Sequence, residues 1–130
     1  YLVVQVKRFK HGGGGVEQLK TMLENTQSLQ VRFGNIHTDQ AYTLHSFVNH
    51  IRHRATSFSS PTCTAHADHY ECFFTRRRNA SAGEHVRRWR ADDDRVAEVS
   101  EVDFLAHARK AYILVYRLES ADVVPDTLLQ

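Results

Sequence analysis

Three side chains in this sequence have the types needed to pass a proton along a short relay. His69 heads an apolar and aromatic run, His69–Thr75 (HYECFFT), and Asp92 and Asp93 sit further along in an acidic turn. A carboxylate that accepts an imidazole N–H fixes the ring's tautomer and stabilises its charged form. The histidine can then take the proton of a thiol, whose thiolate is the effective nucleophile. Spacing alone leaves this reading open, because a histidine and a distant acidic turn can share a chain without meeting.

Other residues invite chemistry less well. Cys63, His66, His69 and Cys72 are spaced by three and are all zinc-ligand types. On a strand, however, positions three apart alternate faces, so the four would not converge without a bend. No metal and no cofactor is expected. His11–Gly15 (HGGGG) lacks the Gly-Lys-Ser/Thr ending of a phosphate-binding loop and reads as a flexible linker.

The relay needs elements that bring its members together. Tyr1–Phe9 and Ala111–Leu118 are rich in Val and aromatics and read as strands. Leu29, Val31 and Phe33 alternate as in a strand. Tyr42–His50 alternates too, which sets Tyr42, Leu44, Ser46, Val48 and His50 on one face. In the strand from His69, His69, Glu71 and Phe73 face one side, and Tyr70, Cys72 and Phe74 the other. A polar hairpin then returns the chain, which can place the acidic turn near His69. Val16, Leu19 and Leu23 have helical spacing, so a short helix is expected over Val16–Glu24. Ser100-Glu-Val-Asp103 reads as the N-cap of a helix of about two turns. Arg52–Asp68 is a loop by composition. The pattern is α+β, antiparallel strands with one or two short helices.

The 130 residues are 42% hydrophobic and 25% charged, which suits one domain. The formal net charge is +2, from 17 basic and 15 acidic residues, too even for a general nucleic-acid binder. Arg76, Arg77, Arg78, Arg87, Arg88 and Arg90 crowd around a predicted solvated hairpin loop. A docking patch for an RNA-containing assembly is the alternative. Two cysteines make no disulfide framework, so a reducing, intracellular compartment is expected. No run reaches the ~20 apolar residues of a membrane span, so no membrane partner is expected. Tyr1 opens an apolar run, as a fragment's first residue would.

Five segments, in order, resemble the ubiquitin-specific protease pattern. Leu2–Phe9 (LVVQVKRF) resembles the strand ending Leu-Lys-Arg-Phe. Tyr42–Leu44 with Val48–His50 resembles Tyr-x-Leu…Val-x-His. His69-Tyr70 resembles the Gly-His-Tyr box. Trp89–Val96 (WRADDDRV) resembles Trp…Phe-Asp/Asn-Asp…Val, and Ala111–Leu118 (AYILVYRL) resembles the closing Ala-Tyr-Leu-Leu-x-Tyr strand. The resemblance implies the C-terminal, palm-like portion of a papain-like cysteine protease fold over residues 1–118, with 119–130 as a tail. It makes His69 the general base. Counting back from Val96 gives Asp92 the orienting place; counting forward from Trp89 gives Asp93. His50, Asp68 and Tyr70 would border the ubiquitin tail, and Trp89 would be core.

The resemblance also implies what lies elsewhere. The family's nucleophilic cysteine and zinc-binding pairs precede the Lys-Arg-Phe strand, and neither Cys63 nor Cys72 can replace the nucleophile by position. The expected function is a thiol deubiquitinase of the cytoplasm or nucleus, with this chain supplying the His/Asp half and inactive alone. Its partners would be ubiquitin or a ubiquitinated protein, the N-terminal half of the catalytic domain, and a larger complex. Three departures support an alternative, a non-catalytic scaffold of the same fold. Asp68 and Arg52 replace glycines, and Ala91 replaces an aromatic. A carboxylate at Asp68 would also raise the pKa of His69.

Overall fold

A computed structural model describes residues 1–12, 15–32, 34, 39–54, 66–80 and 83–119, and their side chains except at 11–12, 15–16, 52–54, 66–67, 78–80 and 83–84. The strands are β1 (Leu2–Gln5), β2 (Phe9–Gly12), β3 (Gly15–Gln18), β4 (Ser28–Val31), β5 (Gln40–Arg54), β6 (His66–Ala80), β7 (Gly83–Asp92), β8 (Arg95–Val99) and β9 (Ile113–Leu118); the helix is α1 (Glu101–Ala108). Seven strands form one antiparallel sheet in the order β1-β9-β5-β6-β7-β8, with β4 also paired to β5. β5 is long enough to pair with β4 near its start and with β6 from Ser46 onward.

One face of the sheet carries the core. Phe47 and Phe73 are cross-strand partners whose rings stack at 4.7 Å, and Phe104 of α1 meets Phe47 edge-on at 4.9 Å. Leu114 and Tyr116 of β9 and Leu44 and Tyr42 of β5 extend this face, closed by Ala108 and Ala111. The helix is held where its sequence predicts. Ser100 Oγ accepts from the Asp103 N–H at 3.0 Å, so the cap fixes where the chain turns back across the sheet. Among the described residues no helix is long and apolar enough to cross a membrane.

Several expectations are corrected. The expected single face of Tyr42, Leu44, Ser46, Val48 and His50 breaks at a bulge. Leu44 pairs with Tyr116 and Ser46 with Val115, leaving His45 as an extra residue. One extra residue flips every later side chain, so Phe47 and Asn49 are the buried ones.

Val16–Glu24 does not form a helix. Gly15–Gln18 pairs with β2 instead, so Gly12 and Gly15 are strand residues rather than linker; residues 13–14 lie outside the described residues. Beyond it, long-range bonds take the backbone groups a helix would use. Leu19 N–H donates to the Arg8 carbonyl, Leu23 N–H to the Arg109 carbonyl, and the Arg109 guanidinium to the Leu23 carbonyl. Asn25, directly after this stretch, adopts a left-handed φ of 50°.

The first predicted strand ends at Gln5, and β2 starts at Phe9. Between them Arg8 turns inward, donating to the carbonyls of Ala111 at 3.1 Å, Arg109 at 3.0 Å and Thr21. The predicted loop Arg52–Asp68 is strand at both ends, since Arg54 pairs with His66; residues 55–65, with Cys63, lie outside the described residues. The arginine-rich segment is a ladder rather than a loop, running from Cys72↔Ala91 to Ala80↔Gly83. Trp89 is half-buried on the face away from Phe73, and the Arg87 guanidinium lies over it at 5.0 Å, so it is not core. Of the expected tail, Glu119 donates its N–H to the Ala41 carbonyl, and 120–130 lie outside the described residues.

Candidate active site

The β6–β7 ladder decides which residues meet. Its last pair is Cys72↔Ala91, so the turn after Asp92 falls beside the stretch of β6 that holds His69 and Glu71. That turn is tight. Asp92 pairs with Arg95 across Asp93 and Asp94, and Asp93 takes a left-handed φ of 51°, a conformation that aspartate tolerates better than most residues.

His69 Nε2 lies 2.6 Å from Asp92 Oδ1. A carboxylate only accepts, so the hydrogen sits on Nε2 and the lone pair of the neutral ring sits on Nδ1. Asp93 Oδ1 is 3.9 Å from Nδ1, beyond hydrogen-bond reach, and its side chain is 79% exposed. Of the two aspartates left open by the sequence, Asp92 is the one bonded to the ring. The pKa of His69 is raised, first by the Asp92 hydrogen bond; desolvation opposes it as the next-largest effect, and the charges of Asp93, Asp92 and Glu71 each add a smaller increase. The expected increase therefore comes chiefly from Asp92 rather than from Asp68. A quarter of the imidazole side chain remains open to solvent.

Two residues that the sequence did not single out complete the cluster. Glu71 is a buried carboxylate on the core-facing side of β6. Arg90 Nη2 donates both to Glu71 Oε1 and to Asp92 Oδ2, the latter at 2.8 Å. The signal for Glu71 was present, because a lone charge on a face shared with Phe73 requires a partner. Ligand atoms of His69, Glu71 and Asp92 lie within 4.8 Å of one another, a spacing compatible with a metal ion. The Arg90 guanidinium already bridges the two carboxylates and supplies the positive charge a cation would bring. Cys72 lies on the opposite face of β6 from His69, which divides the spaced Cys/His set; His66 has no described side chain. Burial also raises the Cys72 thiol pKa, which disfavours its thiolate.

The remaining predicted residues form a separate group. His50 and Tyr70 are cross-strand partners with rings 4.7 Å apart, and His50 Nε2 is 3.2 Å from Asp68 Oδ1, an ion-pair distance without hydrogen-bond geometry. Strand alternation sets these three on the face away from His69. Asp68 and Arg52, the two glycine replacements, are directly opposite each other in the β5–β6 ladder. A cavity of about 560 Å³ reaches the His69 cluster at Glu71, and is walled elsewhere by Arg8, Gln18, Asn49, His50 and His107.

A family model for ubiquitin carboxyl-terminal hydrolase matches residues 1–116. The chain belongs to the ubiquitin carboxyl-terminal hydrolase family. Solved structures agree on the fold this family member adopts. It is similar to a chain of the yeast SAGA DUB module with a variant Sgf73, at 24% identity and TM-score 0.62, over 92% of this chain and 23% of that one. The Ubp8–Sgf11–Sgf73–Sus1 SAGA DUB module gives 25% identity and TM-score 0.61, over 91% and 24%. A SAGA DUB module of Ubp8, Sgf11, Sus1 and Sgf73 bound to monoubiquitin gives 24% and TM-score 0.63, over 92% and 23%. No curated protein sequence gives a significant match. The hydrolase-family chain thus spans about a quarter of the length of the structures it resembles. Its fold is α+β, the antiparallel-sheet portion of the papain-like architecture, with one helix among the described residues.

Proposed function

We propose that residues 1–118 are the C-terminal part of the catalytic domain of a deubiquitinating thiol hydrolase, with 119–130 as a tail. The observation that carries this reading is the 2.6 Å contact of His69 Nε2 with Asp92, which leaves Nδ1 as the basic nitrogen. Nδ1 takes the proton of a cysteine thiol supplied by the rest of the parent protein. The thiolate attacks the carbonyl carbon of the last glycine of ubiquitin. His69, now charged, returns the proton to the leaving lysine amine, and an acyl-enzyme remains. Water then adds, with His69 taking its proton, and the thiol is restored.

Asp92 orients the ring, and Asp93 adds negative charge at the turn. His50, Asp68 and Tyr70, on the face of β6 away from His69, would border the ubiquitin tail outside the cluster itself. The monoubiquitin-bound SAGA DUB module supports ubiquitin as the partner, and the four-protein composition of that module supports work inside a larger complex. The missing portion of the catalytic domain is the other required partner.

The test is covalent capture. Ubiquitin vinyl ester should label a cysteine of the full-length parent, with the rate reduced by His69→Ala. Residues 1–130 alone should remain unlabelled. A parent that folds and binds ubiquitin but is never labelled supports the second reading, a scaffold of the same fold. That reading is favoured by Asp68, whose carboxylate stands where the family's glycine gives room to the ubiquitin tail, paired in register with Arg52.

A further inference from the structure

Glu71 poses an energetic problem that the proposed mechanism does not use. It is a carboxylate whose side chain is 5% exposed, on a face shared with Phe73. An unpaired ionised carboxylate costs several kcal/mol to bury. Its hydrogen-bond partner among the described residues is Arg90, which reaches Oε1; Oε2 has no hydrogen-bond partner. Arg90 is placed for this by the ladder, since it lies opposite Phe73 and projects to the same face as Glu71. The same Nη2 also holds Asp92 Oδ2.

Resting on the reading of His69 as general base, we infer that Arg90 is a positioning residue. It holds Asp92 through Oδ2 so that Oδ1 points at His69 Nε2, and buried Glu71 anchors it. The four groups alternate in sign, from Glu71 to Arg90 to Asp92 to a protonated His69. An aspartate side chain at the end of a strand has two free torsions. Fixing one oxygen removes the rotation that would break the bond from the other. Without Arg90, Asp92 would keep its charge but lose its aim, and the imidazole would be free to place its hydrogen on either nitrogen. His107 of α1 borders the same cavity as Glu71, and Asp93 lies beyond the other ring nitrogen; neither fixes Asp92 Oδ2.

The tautomer of neutral His69 reads this directly. Nitrogen NMR of the full-length parent with labelled histidine, assigned by loss of the signal in His69→Gln, should show a single form with hydrogen on Nε2. Arg90→Gln should give a mixture of both forms and lower kcat about tenfold with KM little changed. Arg90→Lys, which keeps the charge but does not place its nitrogen where Nη2 stands, should recover part of the loss. Should Arg90→Gln fail to fold because Glu71 is left charged and buried, the Glu71→Gln/Arg90→Gln pair removes that burden and should show the same mixture. A single tautomer and unchanged kcat in both variants would overturn the inference and leave the general-base reading intact. A mixture already present in the unmodified protein would overturn both.

Discussion

Asp92 Oδ1 and His69 Nε2 are 2.6 Å apart although 23 residues separate them in the chain, and Asp93, the next residue, is 3.9 Å from the other ring nitrogen. One oxygen orients the ring and the other contributes only charge. Substituting the two aspartates should therefore have unequal effects. In the full-length parent, Asp92→Ala should lower kcat by roughly 10²-fold or more, because no acceptor then holds the Nε2 hydrogen and fixes the tautomer. Asp93→Asn should change it by less than about threefold. Steady-state hydrolysis of a ubiquitin substrate by both variants checks the ranking.

The raised pKa of His69 fixes the sign of a pH effect. The folded state binds this proton more tightly than the unfolded chain, whose histidine titrates near ~6.5. The resulting stability is fully present below that value and is lost as pH rises through the higher folded value. The stability difference between the unmodified protein and Asp92→Asn should accordingly be larger at pH ~6 than at pH ~9. Denaturant titrations at both values check it, alongside an NMR midpoint for His69 that falls in Asp92→Asn.

Arg8 joins three parts of the chain through the carbonyls of Thr21, Arg109 and Ala111. Arg8→Met keeps the apolar stem but removes the guanidinium donor from all three carbonyls, leaving the Arg109 carbonyl only the Leu23 N–H. The expected loss of stability is about 3 kcal/mol. Hydrogen exchange should show the opening concentrated in residues 19–27, because their backbone depends on these and neighbouring long-range bonds.

The stack of Phe47 on Phe73, closed by Phe104, is the structural floor beneath the cluster. Phe47 is fully buried, so Phe47→Ala should cost about 3–5 kcal/mol. Ser100→Ala removes only the cap of α1 and should cost about 1 kcal/mol. Thermal unfolding of the two variants side by side tests whether the packed face outweighs the cap.

What could be read without coordinates followed from local rules. The alternation in His69–Thr75, the Ser100 cap and the closing strand are short-range patterns, and each is present. The meeting of His69 with the acidic turn was accessible because a hairpin must return beside itself. The choice between Asp92 and Asp93 was not, since it depends on where the ladder stops and on the left-handed φ of Asp93. The face of β5 was misread because a bulge at His45 has no signature in alternation. The helix at Val16–Glu24 failed because Arg8 and Arg109, both remote in sequence from parts of that segment, bind its backbone. Arg90 escaped notice among neighbouring arginines, since only the register with Phe73 brings it to Glu71.

The central claim is that His69, aimed by Asp92, is the base that activates a thiol elsewhere in the parent protein. Its most direct test is kcat/KM for release of a fluorophore from the C-terminus of ubiquitin by the full-length parent and by its His69→Ala variant. The account predicts measurable turnover by the parent, a loss of at least about 10³-fold in the variant, and ubiquitin affinity that is little changed. Turnover that survives His69→Ala, with the protein folded, would contradict it.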